Sequence, residues 1–266
     1  MYYLRKSGFT QYTHNVLVPG SNPGGPTIQF LFMSKKKLSV IISVFNEEKT
    51  IIPILKRINA TNDNKMEYEV IVINDGSNDQ TSNLLNSNKN LLNHLVDNKE
   101  NFGKGYAIKK GLEIATGDYI IFQDGDLEYD PIDFKKFISV IEKFDADVIL
   151  GSRFQYNEYT RSHNILNKLG NHIITLTFNI LYNTTFTDIY CCHLCFKKEL
   201  LNINSLQSNG FEQHAEILCK VIRRGRKFFE VPTNYNGRTA IDGKKIRFYH
   251  IFPVLIKILT ERIKNN

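Results

Sequence analysis

An α/β fold is predicted: one doubly wound, mostly parallel sheet flanked by helices. Three observations predict it. Short runs rich in Val and Ile alternate with stretches of helical spacing, the pattern of strands joined by crossover helices. Those runs are apolar throughout, which suits strands buried on both faces. Three of them end in acidic or polar turns, "VFNEE", "INDGSND" and "QDGDLEYD", and ligands of such sheets bind beyond the carboxyl ends of the strands.

The elements follow in order. Leu38–Val44 reads as a buried strand and Lys49–Ile58 as a helix. Tyr68–Ile73 is a second strand, followed by the turn "NDGSNDQT" and a helix through Leu85. Leu91–Val96 is a shorter strand, Gly103–Ala115 a helix and Tyr119–Phe122 a fourth strand. Pro131–Phe144 is a helix that starts on Pro, where the missing N–H costs nothing, and Val148–Leu150 is a fifth strand. The second half is less regular. Asn164–Leu181 and Phe211–Arg224 read as helices, Cys192–Phe196 as a short strand and Lys227–Val231 as another. Phe248–Ile263 is an amphipathic basic helix, a pattern that fits either the surface of a membrane or packing against the domain. With no internal repeat, residues 33–246 form one domain and 247–266 a C-terminal helix.

Residues 1–32 differ from the rest. "VPGSNPGGPT" is turn-rich and without period. Gly20, Ser21, Asn22 and Pro23 are encodable by GGT-TCG-AAT-CC, the conserved arm of a transfer RNA gene, so Met33 is expected to be the initiator and the first 32 residues a non-native or disordered extension. A hydrophobic share of 42% in 266 residues excludes general disorder. No apolar run approaches the ~20 residues that span a bilayer. The expected location is the cytoplasm, with or without peripheral contact at the cytoplasmic face of a membrane. Cys191, Cys192, Cys195 and Cys219 lack the second pair that a zinc site needs and read as buried free thiols. The net charge of +7 thickens at Arg223–Lys227 and Gly243–Arg247. This favours a local phosphate or membrane contact, and no continuous basic stripe with stacking aromatics points to nucleic acid.

Asp124 and Asp126 alternate around Gly125, so on extended backbone they face one way. Two such carboxylates repel each other, and a divalent cation, Mg²⁺ or Mn²⁺, removes the conflict and clamps a diphosphate. A solvated acidic turn has the same sequence, and position at a strand end distinguishes the two. Asp75 suits a nucleobase N–H or a plain Asx turn. Gly103, Lys104 and Gly105 open a helix, a place suited to anions. Ile108 stands where a dinucleotide fingerprint needs its third glycine.

Together these pieces resemble family 2 glycosyltransferases of GT-A fold, in particular the dolichyl-phosphate mannosyltransferase and polyprenyl-phosphate glycosyltransferase branch. The resemblance runs from about Leu38 to Ile246, on "SVIISVFNEEKTI", "VIVINDGSNDQT", "NFGKGYAIKKGLEIATGDYIIFQDGDLEYDP", "ILGSRF", Thr187-Asp188, Phe211-Glu212 and "RRGRKFFEVPTNYNGRTAIDGKKI". It implies that Asn46, Glu47 and Asp75 bind the nucleoside of a UDP- or GDP-sugar, with Lys104 near the donor. It implies that Asp124 and Asp126 hold the metal and the diphosphate. Arg153 and Arg161 would meet an anionic acceptor, with Asp188 and Glu212 on the acceptor side. Arg238, Lys244 and Lys245 would close over phosphates. The implied reaction is one inverting displacement at the anomeric carbon. A polyprenyl phosphate acceptor needs no strong base. A hydroxyl of a lipid-linked or surface glycan needs one, with Asp188 first and Glu212 second. A catalytically silent nucleotide-sugar-binding module is the reading from another class. Three features depart from the family: Gly125 where Ala is common, a Cys-rich "TDIYCCHLCFKKELL", and no appended transmembrane helices.

Overall fold

A computed structural model describes residues 35–155, 165–238 and 251–264. Seven strands form one sheet: β1 (Lys37–Val44), β2 (Glu67–Asn74), β3 (His94–Asp97), β4 (Tyr119–Asp124), β5 (Val148–Ser152), β6 (Leu194–Lys197) and β7 (Phe228–Pro232). Their order is β3-β2-β1-β4-β6-β5-β7. All neighbours are parallel except β6, which runs antiparallel to both β4 and β5. The mostly parallel sheet is as expected, and the antiparallel insertion of β6 is the feature that periodicity does not contain. β3 starts three residues later than expected because Lys89–Leu91 form a 3-10 turn.

The helices are α1 (Ile51–Thr61), α2 (Thr81–Ser87), α3 (Lys104–Ile114), α4 (Phe134–Phe144), α5 (Ile165–Tyr182), α6 (Gln213–Arg224) and α7 (Ile251–Ile263). Side chains alternate along each strand, so the two faces bury different residues. Ile41, Ile71, Ile73, Ile120 and Phe122 face a core shared with α3, α5, α6 and α7. Val40, Ile42, Val70, Val72 and Ile121 face a second core with α1, α2 and α4. That is the doubly wound arrangement. α7 packs one face into the first core through Val254 and Ile258. Among the described residues no helix is long and apolar enough to cross a membrane. All four cysteines are buried and free.

Candidate active site

β1, β2 and β4 are parallel neighbours, so their carboxyl ends lie side by side. Val44 pairs with Asn74, and Ser43 with Asp124. Beyond β1 the chain turns at Asn46, which holds a left-handed φ of 54° that Asn tolerates better than most residues. The Asn46 N–H donates to Ser77 Oγ at 2.9 Å, and the Asn78 N–H donates to Asn46 Oδ1 at 2.9 Å. The loops after β1 and β2 are stapled together in this way. A cavity of about 550 Å³ opens above these strand ends. Its lining includes Glu47, Asp75, Lys104, Asp124, Asp126, Arg153 and Arg238.

The acidic turn after β4 is the electrostatic centre. Lys104 Nζ donates to Asp124 Oδ1 at 2.5 Å. Burial alone would lift the Asp124 pKa, but the Lys104 ammonium more than reverses this and holds it below the usual carboxylate range. Among the described residues no cation is hydrogen-bonded to the Asp126 side chain. Burial, then repulsion from Asp124 and Glu128, pushes its pKa up to about 7. The turn is conformationally strained at Leu127, with φ 62°. Glu128 fastens a segment from beyond β7 over the cavity: Tyr235 Oη donates to it at 2.9 Å and the Arg238 N–H at 2.7 Å. The Arg238 guanidinium then reaches Glu47 with two bonds, 3.0 and 2.6 Å, and the Asp126 carbonyl at 2.8 Å. Gly125 needs no left-handed backbone, and a Cβ there would meet Val44 Cγ2 at 3.4 Å, so the site has near-normal room for the Ala that the resemblance leads one to expect.

Arg153, which lines the cavity, and the fully buried Asp188 form an ion pair. Arg153 Nε and Nη2 donate to the two Asp188 oxygens at 2.6 and 2.8 Å, the Arg153 N–H adds a bond of 3.1 Å, and Asn171 Nδ2 one of 2.7 Å. Burial pushes the Asp188 carboxyl up, but Arg153 and Asn171 outweigh it and hold it ionised, below its ordinary value. The Arg153 guanidinium also lies over the Phe154 and Tyr235 rings, at 5.6 and 5.3 Å.

Asn46, Asp188 and Glu212 are not among the residues lining the cavity. Asp188 is fully buried behind Arg153, and Glu212 accepts from the Gly210 N–H at 3.3 Å. Asp75 lines the cavity, but its oxygens already accept from Asn98 Nδ2 and from the N–H groups of Phe102 and Gly103, at 2.9, 3.1 and 2.8 Å. The glycines at the start of α3 differ from the anion-site expectation. The Gly103 N–H is taken by Asp75, and the Gly105 N–H by the Asn209 carbonyl at 2.8 Å. Gly103 is needed for its φ of 98°, and Gly105 because a Cβ would lie 2.5 Å from the Asn209 backbone. Arg161, Lys244 and Lys245 lie outside the described residues.

Gln213 and His214 line the cavity and were missed. Gln213 is 3% exposed, and its Nε2 has no hydrogen-bond partner among the described residues; the same holds for the buried Nε2 of His214. Burial, with Lys104 nearby, pushes the His214 pKa down to about 4, so the ring is neutral near neutral pH. A buried polar atom without a partner is costly, and both of these atoms belong to residues that line the cavity. Sequence offered no signal for either, since both sit inside a helical period. Glu128, also missed, had a signal: it continues the alternation of Asp124 and Asp126.

Comparison with known proteins gives the following. The profile described as "Glycosyl transferase family 2" matches residues 39–202. An uncharacterized protein of Methanocaldococcus jannaschii is 30% identical over 220 residues, covering 77% of this chain and 93% of that protein. The low-salt glycan biosynthesis hexosyltransferase Agl6 of Haloferax volcanii is 26% identical over 202 residues, 76% of this chain. The dodecaprenyl-phosphate galacturonate synthase of Rhizobium johnstonii is 33% identical over 123 residues, 44% of this chain. The chain spans 48% and 36% of those two named relatives. Among solved structures, glucosyl-3-phosphoglycerate synthase of Mycobacterium tuberculosis, in complex with Mn²⁺, UDP and phosphoglyceric acid, superposes with a TM-score of 0.65 at 18% identity, covering 87% of this chain and 80% of that one. S. aureus TarS (residues 1–349) gives a TM-score of 0.55 at 20% identity, covering 85% of this chain and 72% of that one.

Proposed function

We propose that this chain, which belongs to glycosyl transferase family 2 and has the GT-A fold, moves a sugar from a nucleoside-diphosphate sugar to a polyprenyl phosphate with inversion at the anomeric carbon. One observation carries the reading: Lys104, Asp124 and Asp126 converge with Glu47, Asp75 and Arg238 in one cavity at the carboxyl ends of β1, β2 and β4. The named relatives, a hexosyltransferase and a dodecaprenyl-phosphate galacturonate synthase, support the donor class and the acceptor class respectively.

The residues fit a divalent cation. Asp126 is a half-buried carboxylate pushed up first by desolvation and then by two neighbouring acids, and a cation beside it relieves that repulsion. Asp126, with Asp124, would hold Mg²⁺ or Mn²⁺, which when bound neutralises charge on the departing diphosphate. Lys104 stands beside Asp124 and is charged, so it adds a second positive group at the leaving diphosphate. Arg238 exchanges part of its hold on Glu47 for phosphate oxygens. Gln213 donates to a sugar hydroxyl and the neutral His214 ring bonds another.

Arg153, held rigid by Asp188, faces the acceptor phosphate. A phosphate oxygen forms the new bond to the anomeric carbon as the bond to the diphosphate breaks, and no proton needs to move. The alternative of a hydroxyl acceptor requires a base, and the two proposed carboxylates are poorly placed: Asp188 has its oxygens committed to Arg153 and Asn171, and Glu212 lies outside the lining.

The test is thermal unfolding of the full chain with UDP-, GDP- and dTDP-sugars, with and without Mn²⁺. A ligand at ~100 times its Kd adds about 2.7 kcal/mol of stability. The expected outcome is a metal-dependent shift with one nucleotide, lost in Asp126→Asn. No shift with any donor would remove the nucleotide-sugar reading, whereas a shift without sugar transfer to any acceptor would support the silent module instead.

A further inference from the structure

α5 and α7 pack side by side, each burying one face in the same core. Their outer faces are strongly apolar and exposed. On α5, Ile165, Leu169, Leu176 and Ile180 are 81%, 52%, 61% and 72% exposed. On α7, Phe252, Ile256, Leu259 and Ile263 are 60%, 61%, 44% and 77% exposed. A two-helix face of this kind is far larger than the scattered apolar residues of an ordinary surface.

The exposed charges on the two helices and just beyond α7 have one sign. Lys168, Arg262 and Lys264 are exposed, Lys257 is half-buried, and the sole acid on either helix, Glu261, is 1% exposed and paired with Lys220 and Lys264. Apolar side chains with a cationic fringe and no exposed carboxylate match the boundary between acyl chains and anionic headgroups. A second copy of the chain fits poorly, because a two-fold contact would bring this fringe against itself with no exposed acid on either helix to offset it. Position supplies the remaining argument. Leu166 and Lys168 from the first turns of α5, and Ile251 and Val254 from the first turns of α7, line the candidate cavity. The cavity therefore adjoins the apolar face at the end where Arg153 lies.

We infer that the outer face of α5 and α7 seats the protein on an anionic bilayer, with the acceptor end of the cavity at the headgroup level. The helices lie in the interface without crossing it. A lipid phosphate then reaches Arg153 while its chain stays in the membrane. This deepens the lipid-acceptor reading above and rests on it.

The experiment is co-sedimentation of the full chain with phosphatidylcholine vesicles, with and without phosphatidylglycerol. It is repeated for the double variant Leu176→Glu/Ile256→Glu, whose positions lie outside the cavity lining. Binding to the anionic vesicles, weakened about tenfold or more in the variant, is the expected result. A full chain that stays in the supernatant, or a variant that binds as well as the parent, overturns the proposal. So does a dimer in sedimentation velocity that the variant dissolves, since the face then belongs to a second copy. The nucleotide-sugar thermal shift, read on the same variant, separates the two claims. An unchanged shift with lost vesicle binding is expected here, whereas vesicle binding with no donor shift leaves the membrane seat standing and removes the glycosyltransferase reading.

Discussion

Gln213 holds a buried amide whose Nε2 has nothing to donate to among the described residues. An unpaired buried donor costs about 1–3 kcal/mol, and replacing it with an apolar group of similar shape removes that cost. Gln213→Leu is therefore expected to unfold at the same or a higher temperature than the parent, while donor affinity falls about tenfold. A lower melting temperature with unchanged affinity would reduce Gln213 to a structural role. Asp188 poses the opposite case. It is fully buried and neutralises the partly buried Arg153, and Asp188→Asn leaves that guanidinium with a weaker partner. Loss of one partner from such a pair typically costs about 3–5 kcal/mol, here read from the urea midpoint. A residue acting only as a surface base would show a rate loss without that stability loss. Legibility at this scale depended on distance along the chain. Asp124, Asp126 and Glu128 fall in one short run at a strand end, so their shared place in the cavity lining is written locally, although the last two sit in a turn and not on extended strand. The contact of Arg238 with Glu47 joins residues 191 positions apart, and no local pattern contains it.

At the scale of elements, Glu69 on β2 ties the sheet together at the edge away from the cavity. Its buried carboxylate accepts from Ser39 on β1, and from the N–H and hydroxyl of Thr116 just before β4, at 2.5 to 2.7 Å. Lys37 Nζ lies 3.2 Å away. Burial pushes its pKa up, but the Ser39 and Thr116 bonds and Lys37 outweigh it and lower it to about 2. A carboxylate depressed in the folded state adds stability that is complete above its unfolded pKa of about 4.3, and this is lost as pH falls through the folded value. Stability read from urea unfolding is thus expected to fall between about pH 4.5 and 2 by up to ~3 kcal/mol from this group. Glu69→Gln should flatten that limb, and an unchanged limb would remove Glu69 from its cause. Strands and helices were legible as elements because their periods are local. The partners of β6 were not, since a short apolar strand satisfies parallel and antiparallel neighbours alike.

At the scale of the whole molecule, α7 is part of the folded body rather than an appendage. Val254 and Ile258 are essentially fully buried, and Glu261 pairs with Lys220 of α6 at 3.1 Å. Removing residues 251–266 is expected to cost about 5 kcal/mol or more, from lost aliphatic burial and a stranded lysine. A truncated chain with an unchanged denaturation midpoint would make the helix a separable arm. The sequence reading left this helix between a membrane surface and the domain, and its two faces answer differently: one is in the core, the other is exposed. By itself the sequence determined the α/β class, the order of the elements and the acidic turn at the head of β4, because hydrophobic period and strand-end chemistry are properties of neighbouring residues. Tertiary structure decided which acids are open to a ligand, which are sealed by a cation, that Gln213 and His214 join the cavity, and where the apolar face lies relative to it. Those facts depend on contacts between distant segments, and burial is a property of the packed chain that no single stretch of it carries.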